Sequence, residues 1–134
     1  MMEFSPEERE EYVRLFCEEA DAQLRTIGEG LLALRQNPGQ PDLAREPHRA
    51  AHTLKGSAGY LGLEGIQTLA QALEAVLKAV AEGRVPFGRE LEAALVPALD
   101  LLHRLVRRVA SGGTDDEPQV ATLAARLQDL TSRG

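Results

Sequence analysis

The chain has 134 residues, sets 15 Lys plus Arg against 21 Asp plus Glu for a net charge of −6, and contains one cysteine. That length accommodates one domain with one core. The acidic balance opposes non-specific binding to nucleic acid or anionic lipid, and the lone Cys17 excludes an internal disulfide or a multi-cysteine zinc site. Leu (21) and Ala (19) dominate, whereas Val plus Ile number 10 and aromatics 5, so helix formers outweigh strand formers and an all-α fold is expected. No stretch reaches the roughly 20 apolar residues of a membrane span. The segment from Met1 to Glu11 is acidic where a signal peptide would be basic and then apolar, so a cytoplasmic chain without membrane insertion is expected.

From Ser5 to Gln36 the residues Val13, Phe16, Cys17, Ala20, Leu24, Ile27, Leu31 and Leu34 recur at steps of three and four, which lines one face of a helix. Ser5 as cap, Pro6 in the first turn, and Glu7 and Glu8 against the helix dipole mark its start. The breaker cluster Asn37-Pro38-Gly39-Gln40-Pro41 ends it, and Asp42 is placed to cap a second helix running from about Asp42 to Tyr60. Pro47 either kinks that helix or marks its true first turn. Gly62 to Gly65 reads as a turn, after which Ile66, Leu69, Leu73, Val76, Leu77 and Val80 define a third helix ending near Gly83. Beyond a turn at Arg84 to Gly88, the residues Leu91, Leu95, Leu99, Leu102, Val106 and Val109 define a fourth helix, with a bend expected at Pro97. Ser111 to Asp116 reads as a flexible connector, Val120, Leu123, Ala124, Leu127 and Leu130 as a short fifth helix, and residues 132–134 as the start of a linker. Four long stripes are buried most simply in an up-down antiparallel four-helix bundle with the fifth helix packed against it, one domain over residues 1–134.

One segment departs from the Leu/Ala/Glu/Arg pattern, running from His48 to Gly62. Ala51, Leu54, Ala58 and Leu61 continue an inward stripe, which leaves His52, Lys55, Gly56 and Gly59 on another face. Glycine inside a helix costs up to about 1 kcal/mol relative to alanine. Access accounts for that cost: with no side chains at Gly56 and Gly59, the surface of a partner protein can approach the imidazole. An exposed imidazole accepts a phosphoryl group when its unprotonated nitrogen can attack and nearby charge stabilises the incoming oxygens. Lys55 supplies that charge, and it is one of only 2 lysines, with Lys78, in a chain that has 13 arginines. A carboxylate on the adjacent helix would hold the other ring nitrogen, fixing the tautomer and raising nucleophilicity. The third helix offers Glu74, with Gln71 one turn earlier as a further polar contact.

Other residues carry weaker signals. His48, one turn before His52, has the spacing of a chelating pair, but no third ligand sits at a matching position, so neither a metal role nor a second acceptor role is expected. Gly56, Gly59 and Gly62 lack the preceding strand that a phosphate-cradling loop needs. His103 is expected on a solvated face, Arg104, Arg107 and Arg108 as structural cations at a helix carboxyl end, and Cys17 in the core.

The string His52-Thr53-Leu54-Lys55-Gly56-Ser57-Ala58-Gly59-Tyr60-Leu61-Gly62 resembles the signature of histidine phosphotransfer domains, in particular the amino-terminal phosphotransfer domain of CheA-type chemotaxis histidine kinases. The resemblance extends to Phe16-Cys17-Glu18-Glu19-Ala20-Asp21 in the first helix, to Arg49-Ala50-Ala51 leading into His52, and to Leu73-Glu74 in the partner helix. It implies that His52 is phosphorylated, that Glu74 hydrogen-bonds its ring and that Lys55 lies beside the phosphoryl group. It also implies that the phosphoryl group comes from ATP, held with Mg²⁺ in a separate histidine kinase domain, and passes to an aspartate of a response-regulator receiver domain. No cofactor or metal is then expected in the domain itself, which should be monomeric in isolation. His48 stands where the family usually has an apolar or aromatic residue, either as a packed substitute or as an extra polar group near the site. Gln71 stands where chemotaxis kinases often have a second histidine, and Pro47 is unusual. The alternative is a helical-bundle scaffold that binds partners without phosphorylation; it predicts loss of the histidine, the lysine or the carboxylate, and all three are present.

Overall fold

In a computed structural model that describes residues 3–133, Ser5 starts the first helix with a reciprocal cap. Its Oγ accepts the Glu8 N–H at 3.1 Å, and the Glu8 carboxylate accepts the Ser5 N–H at 3.0 Å. Helix α1 spans Pro6–Gln36 and buries Phe16, Cys17, Ala20, Leu24, Ile27, Leu31 and Leu34, the stripe read from the spacing.

The second helix differs at its start. Pro41–Ala44 forms a 3-10 turn, and α2 spans Arg45–Tyr60 with Ala44 in the capping position. Asp42 does not cap it; its carboxylate accepts instead from the Arg45 guanidinium at 2.9 Å on the surface. Pro47 falls in the first turn of α2, where a backbone N–H would have no intrahelical partner, so it begins the helix without kinking it. It is buried against α1 at Gly30, where a Cβ would stand 2.0 Å from Pro47 Cγ. Only glycine at that point of α1 lets the start of α2 dock so closely.

At its other end α2 closes on Gly62, whose φ of +71° is open to glycine at no steric cost. The Leu63 N–H donates to Ala58 O at 2.9 Å and the Gly62 N–H to Gly59 O at 3.1 Å, satisfying carbonyls that the helix end would otherwise leave bare. Leu63 is buried beneath this reversal. Helix α3, Glu64–Ala81, then runs back antiparallel to α2 and closes in the same manner at Gly83. Val85 and Phe87 are buried in the following segment, α4 spans Arg89–Ala110, and α5 spans Gln119–Ser132.

Each of α1 to α4 packs against its two neighbours in a ring, α1 on α2 and α4, α3 on α2 and α4, with α5 laid against α3 and α4. The fold is an all-α, up-down antiparallel four-helix bundle plus a fifth helix. Its interior is a single cluster of Leu, Ala, Ile, Val and Phe side chains drawn from all five helices.

Two features keep α4 and α5 attached. Pro97 removes an N–H inside α4, yet the helix runs on from Arg89 to Ala110. The carbonyl of Ala93, four residues earlier and deprived of that donor, accepts from Arg126 of α5 at 3.4 Å. The connector expected to be flexible is fastened: Asp115 is buried, and its carboxylate accepts the Ile66 N–H at 2.8 Å, capping the start of α3. Gly65 makes room for it, since a Cβ there would stand 2.2 Å from the Asp115 carbonyl oxygen. Arg108 holds the same segment through the Asp116 carbonyl and the Glu117 carboxylate, each at 3.2 Å, and Arg104 reaches Gln119 at 3.4 Å, so both have the structural role expected of them. Of the expected linker start, residue 134 lies outside the described residues. No helix among the described residues is long and apolar enough to cross a membrane.

Candidate functional site

The register of α2 against α3 builds the site. Gly59 faces Gln67 closely, and about two turns back His52 faces Glu74. Nδ1 of His52 donates to Glu74 Oε2 at 2.5 Å, and Nζ of Lys55 donates to Glu74 Oε1 at 2.6 Å. The Glu74 side chain is 15% exposed and that of His52 is 63% exposed, so a mostly covered carboxylate holds a mostly open ring. With Nδ1 carrying the hydrogen, the neutral ring keeps its lone pair at Nε2.

Burial pushes the Glu74 carboxyl up, but the hydrogen bonds and charges of Lys55 and His52 outweigh it and hold the group below the ordinary carboxylate value. Glu74 is therefore ionised at neutral pH, the form that polarises an imidazole N–H most strongly. Lys55 was expected beside an incoming phosphoryl group; in the unphosphorylated protein its ammonium is bound to Glu74, and it fixes the carboxylate that fixes the histidine.

The glycines divide. A Cβ on Gly56 would meet nothing within 4 Å, so this position, one turn from His52, is sterically open. A Cβ on Gly59 would stand 2.6 Å from Gln67 Nε2, so the amide end of Gln67 on α3 occupies the space that a side chain would take there. Gln71 is exposed and takes no part in the Glu74 cluster. Cys17 is buried as expected, and burial, with a smaller push from the Asp21 charge, raises its thiol above the ordinary value. His103 is partly buried rather than fully solvated.

Of the two alternatives left open for His48, a packed substitute or an extra polar group near the site, the structure shows the second: its Nε2 stands 3.8 Å from Glu74 Oε2. The signal was present in its spacing of one helical turn from His52, but only the α2–α3 register shows that both rings reach the same oxygen. Arg49, Thr53 and Lys78 line a groove together with His48, His52 and Glu74. Beyond Gly56 lies a second feature that the sequence did not single out: Tyr12, Leu15 and Tyr60 are exposed, and the ring of Phe4 packs at a tilt against both tyrosines, with centroid separations of 4.8 and 5.8 Å.

The helical bundle thus presents an open histidine ring bound through Nδ1 to a covered and ionised glutamate, with the lone pair of the neutral ring at Nε2. The Hpt domain model matches residues 11–133, and the chain belongs to that family, the histidine phosphotransfer domains. It is 32% identical over 117 residues to the chemotaxis protein CheA of Bacillus subtilis, covering 87% of this chain and 17% of that protein. It is 27% identical over 128 residues to the sensor histidine kinase CheAY of Helicobacter pylori, covering 92% of this chain and 16% of the relative. Among solved structures it is similar to the histidine phosphotransfer domain of CheA, with a TM-score of 0.80 at 30% identity over 90% of this chain and 91% of that one. It is similar also to the phosphorylated P1 domain of CheA3 in complex with CheY6 from R. sphaeroides, with a TM-score of 0.81 at 25% identity over 92% and 98% of the two chains. The chain thus spans less than a fifth of the length of these curated relatives, and nearly all of the isolated domains.

Proposed function

We propose that this chain is the phosphoryl carrier of a chemotaxis-type two-component system and that His52 is its acceptor. The observation that carries this reading is the hydrogen bond from His52 Nδ1 to the ionised, covered Glu74, which leaves the Nε2 lone pair on an exposed ring. Nε2 attacks the γ-phosphorus of ATP bound with Mg²⁺ in a separate histidine kinase domain; an Nε2–P bond forms, the P–O bond to ADP breaks, and the ring's new positive charge is held against Glu74. A receiver-domain aspartate then attacks the same phosphorus, the N–P bond breaks, and His52 returns to its neutral form. Lys55, one turn along α2 and bound to Glu74, then shares its charge between that carboxylate and the phosphoryl oxygens in this reading.

In this reading the described residues serve as the phosphoryl acceptor, and ATP is held in a separate kinase domain. Such a reading places it in the cytoplasm, where ATP and the receiver domain are found. The partner of CheA3 P1 in the solved complex is CheY6, which supports a receiver domain as the second partner here. The open backbone at Gly56 and the exposed Tyr12, Leu15 and Tyr60 beside it support docking on the α1–α2 face.

Incubation with a CheA kinase domain and γ-labelled ATP tests the assignment. Acid-labile, alkali-stable label on the parent and none on His52→Gln is the expected result. Label that persists on His52→Gln contradicts it.

A further inference from the structure

Two imidazoles converge on one carboxylate oxygen. Glu74 Oε2 accepts from His52 Nδ1 at 2.5 Å, and His48 Nε2 stands 3.8 Å from the same atom. The longer distance exceeds that of a hydrogen bond but suits an ion pair, so the His48 contact acts only once His48 carries a proton. Among the described residues, the charged and titratable groups that line this groove are His48, Arg49 and His52 from α2 and Glu74 and Lys78 from α3. Lys55 occupies the other oxygen, Oε1, leaving Oε2 as the point of competition.

We propose that His48 is a positioning residue: when protonated it competes with His52 for Glu74 Oε2, and so keeps the Nε2 lone pair of His52 available in more acidic conditions than Glu74 alone would allow. A carboxylate touching an imidazole favours the protonated ring, which has no lone pair to attack with. A second cation on that oxygen offsets the effect. Sharing the carboxylate also weakens the neutral ring as a nucleophile, but nucleophilicity changes less than protonation does, so the net result on the acid side is faster acceptance. At alkaline pH, with neither ring protonated, His48 has no effect. The inference rests on His52 being the acceptor.

Ring-nitrogen NMR titrations of the unphosphorylated chain follow both histidines in the parent, His48→Gln, His48→Phe and His52→Gln. Either His48 variant should move the His52 midpoint to higher pH, because the second cation on Glu74 Oε2 is gone. His52→Gln should move the His48 midpoint by the same factor, as reciprocity requires. Adding Glu74→Gln to each variant should diminish the coupling. In a second arm phosphoramidate serves as donor, losing ammonia as the Nε2–P bond forms, and its own pH dependence cancels in the ratio of parent to variant rates. That ratio should be near one at alkaline pH and rise above one in mild acid, by less than the change in proton affinity because the neutral ring is the weaker nucleophile.

Coincident His52 midpoints in the parent and both His48 variants overturn the proposal, as does a rate ratio that does not vary with pH. Coupling undiminished by Glu74→Gln overturns the route through Oε2. Absence of phosphohistidine in the parent at every pH overturns the underlying function instead, and the titrations, which need no phosphorylation, tell the two failures apart.

Discussion

The Asp115 carboxylate accepts the Ile66 N–H at 2.8 Å, so the connector between α4 and α5 caps the helix that carries Glu74. Loss of such a cap costs about 1–2 kcal/mol. Asp115→Ala should therefore lower stability by about that amount, with Asp115→Asn intermediate, as read by urea unfolding. Gly65→Ala should also destabilise, despite alanine's better helix propensity, because its Cβ would stand 2.2 Å from the Asp115 carbonyl oxygen. An unchanged midpoint in both variants would refute the clamp.

Glu74 links the site to acid stability. Its carboxyl lies below the ordinary value in the folded protein, because the Lys55 and His52 interactions outweigh its burial. Its contribution is thus fully present above the unfolded carboxyl value and is lost as pH falls through the folded one. The stability gap between the parent and Glu74→Gln should be largest at neutral pH and close on acidification below the usual carboxylate range. A gap independent of pH would show that the carboxylate's charge is not what matters.

The same residue should divide chemistry from folding. Glu74→Gln retains an oxygen that can accept from His52 Nδ1, whereas Glu74→Ala does not. Both should stay folded by circular dichroism while phosphoryl acceptance falls about tenfold for Gln and up to about a hundredfold for Ala. Equal rates in the two variants would remove the orienting role.

Lys55 is bound to Glu74 in the resting protein, and under the proposed function it acts on the phosphoryl group during transfer. Lys55→Gln should slow acceptance by about tenfold or more and raise the Glu74 carboxyl toward its ordinary value. Carbon-detected titration of Glu74 reads the second effect, and an unmoved Glu74 would assign Lys55 to the phosphoryl group alone.

Gly56 and Gly59 should respond differently. Gly56→Ala meets open space and should stabilise α2 by up to about 1 kcal/mol. Gly56→Trp should leave reaction with phosphoramidate intact while slowing transfer to a receiver domain. Gly59→Ala requires the Gln67 amide to swing aside, so it should gain less stability than Gly56→Ala. Equal gains at the two glycines would dissolve the distinction between access and packing.

The helices were legible because their apolar residues repeat with the helical period, and the stripe from Phe16 to Leu34 is buried as its spacing indicates. His52 was legible from its neighbours along one helix, and its pairing with Glu74 from resemblance. What stayed hidden depends on distances between elements. Asp115 reaching Ile66, Pro47 seated on Gly30, and His48 standing 3.8 Å from Glu74 are contacts that no periodicity encodes. The approach of Gln67 to Gly59 is hidden for the same reason: one helix considered alone does not show which of its glycines a neighbouring helix will cover.

The central claim is that His52 Nε2, left unprotonated by the Nδ1 bond to Glu74, takes the phosphoryl group. Phosphorus–nitrogen correlation NMR on ring-labelled protein treated with phosphoramidate reads this atom directly. Phosphorus bonded to Nε2 of His52 is the predicted result. Phosphorus on Nδ1 of His52, or on any other residue while His52 stays unmodified, would contradict it.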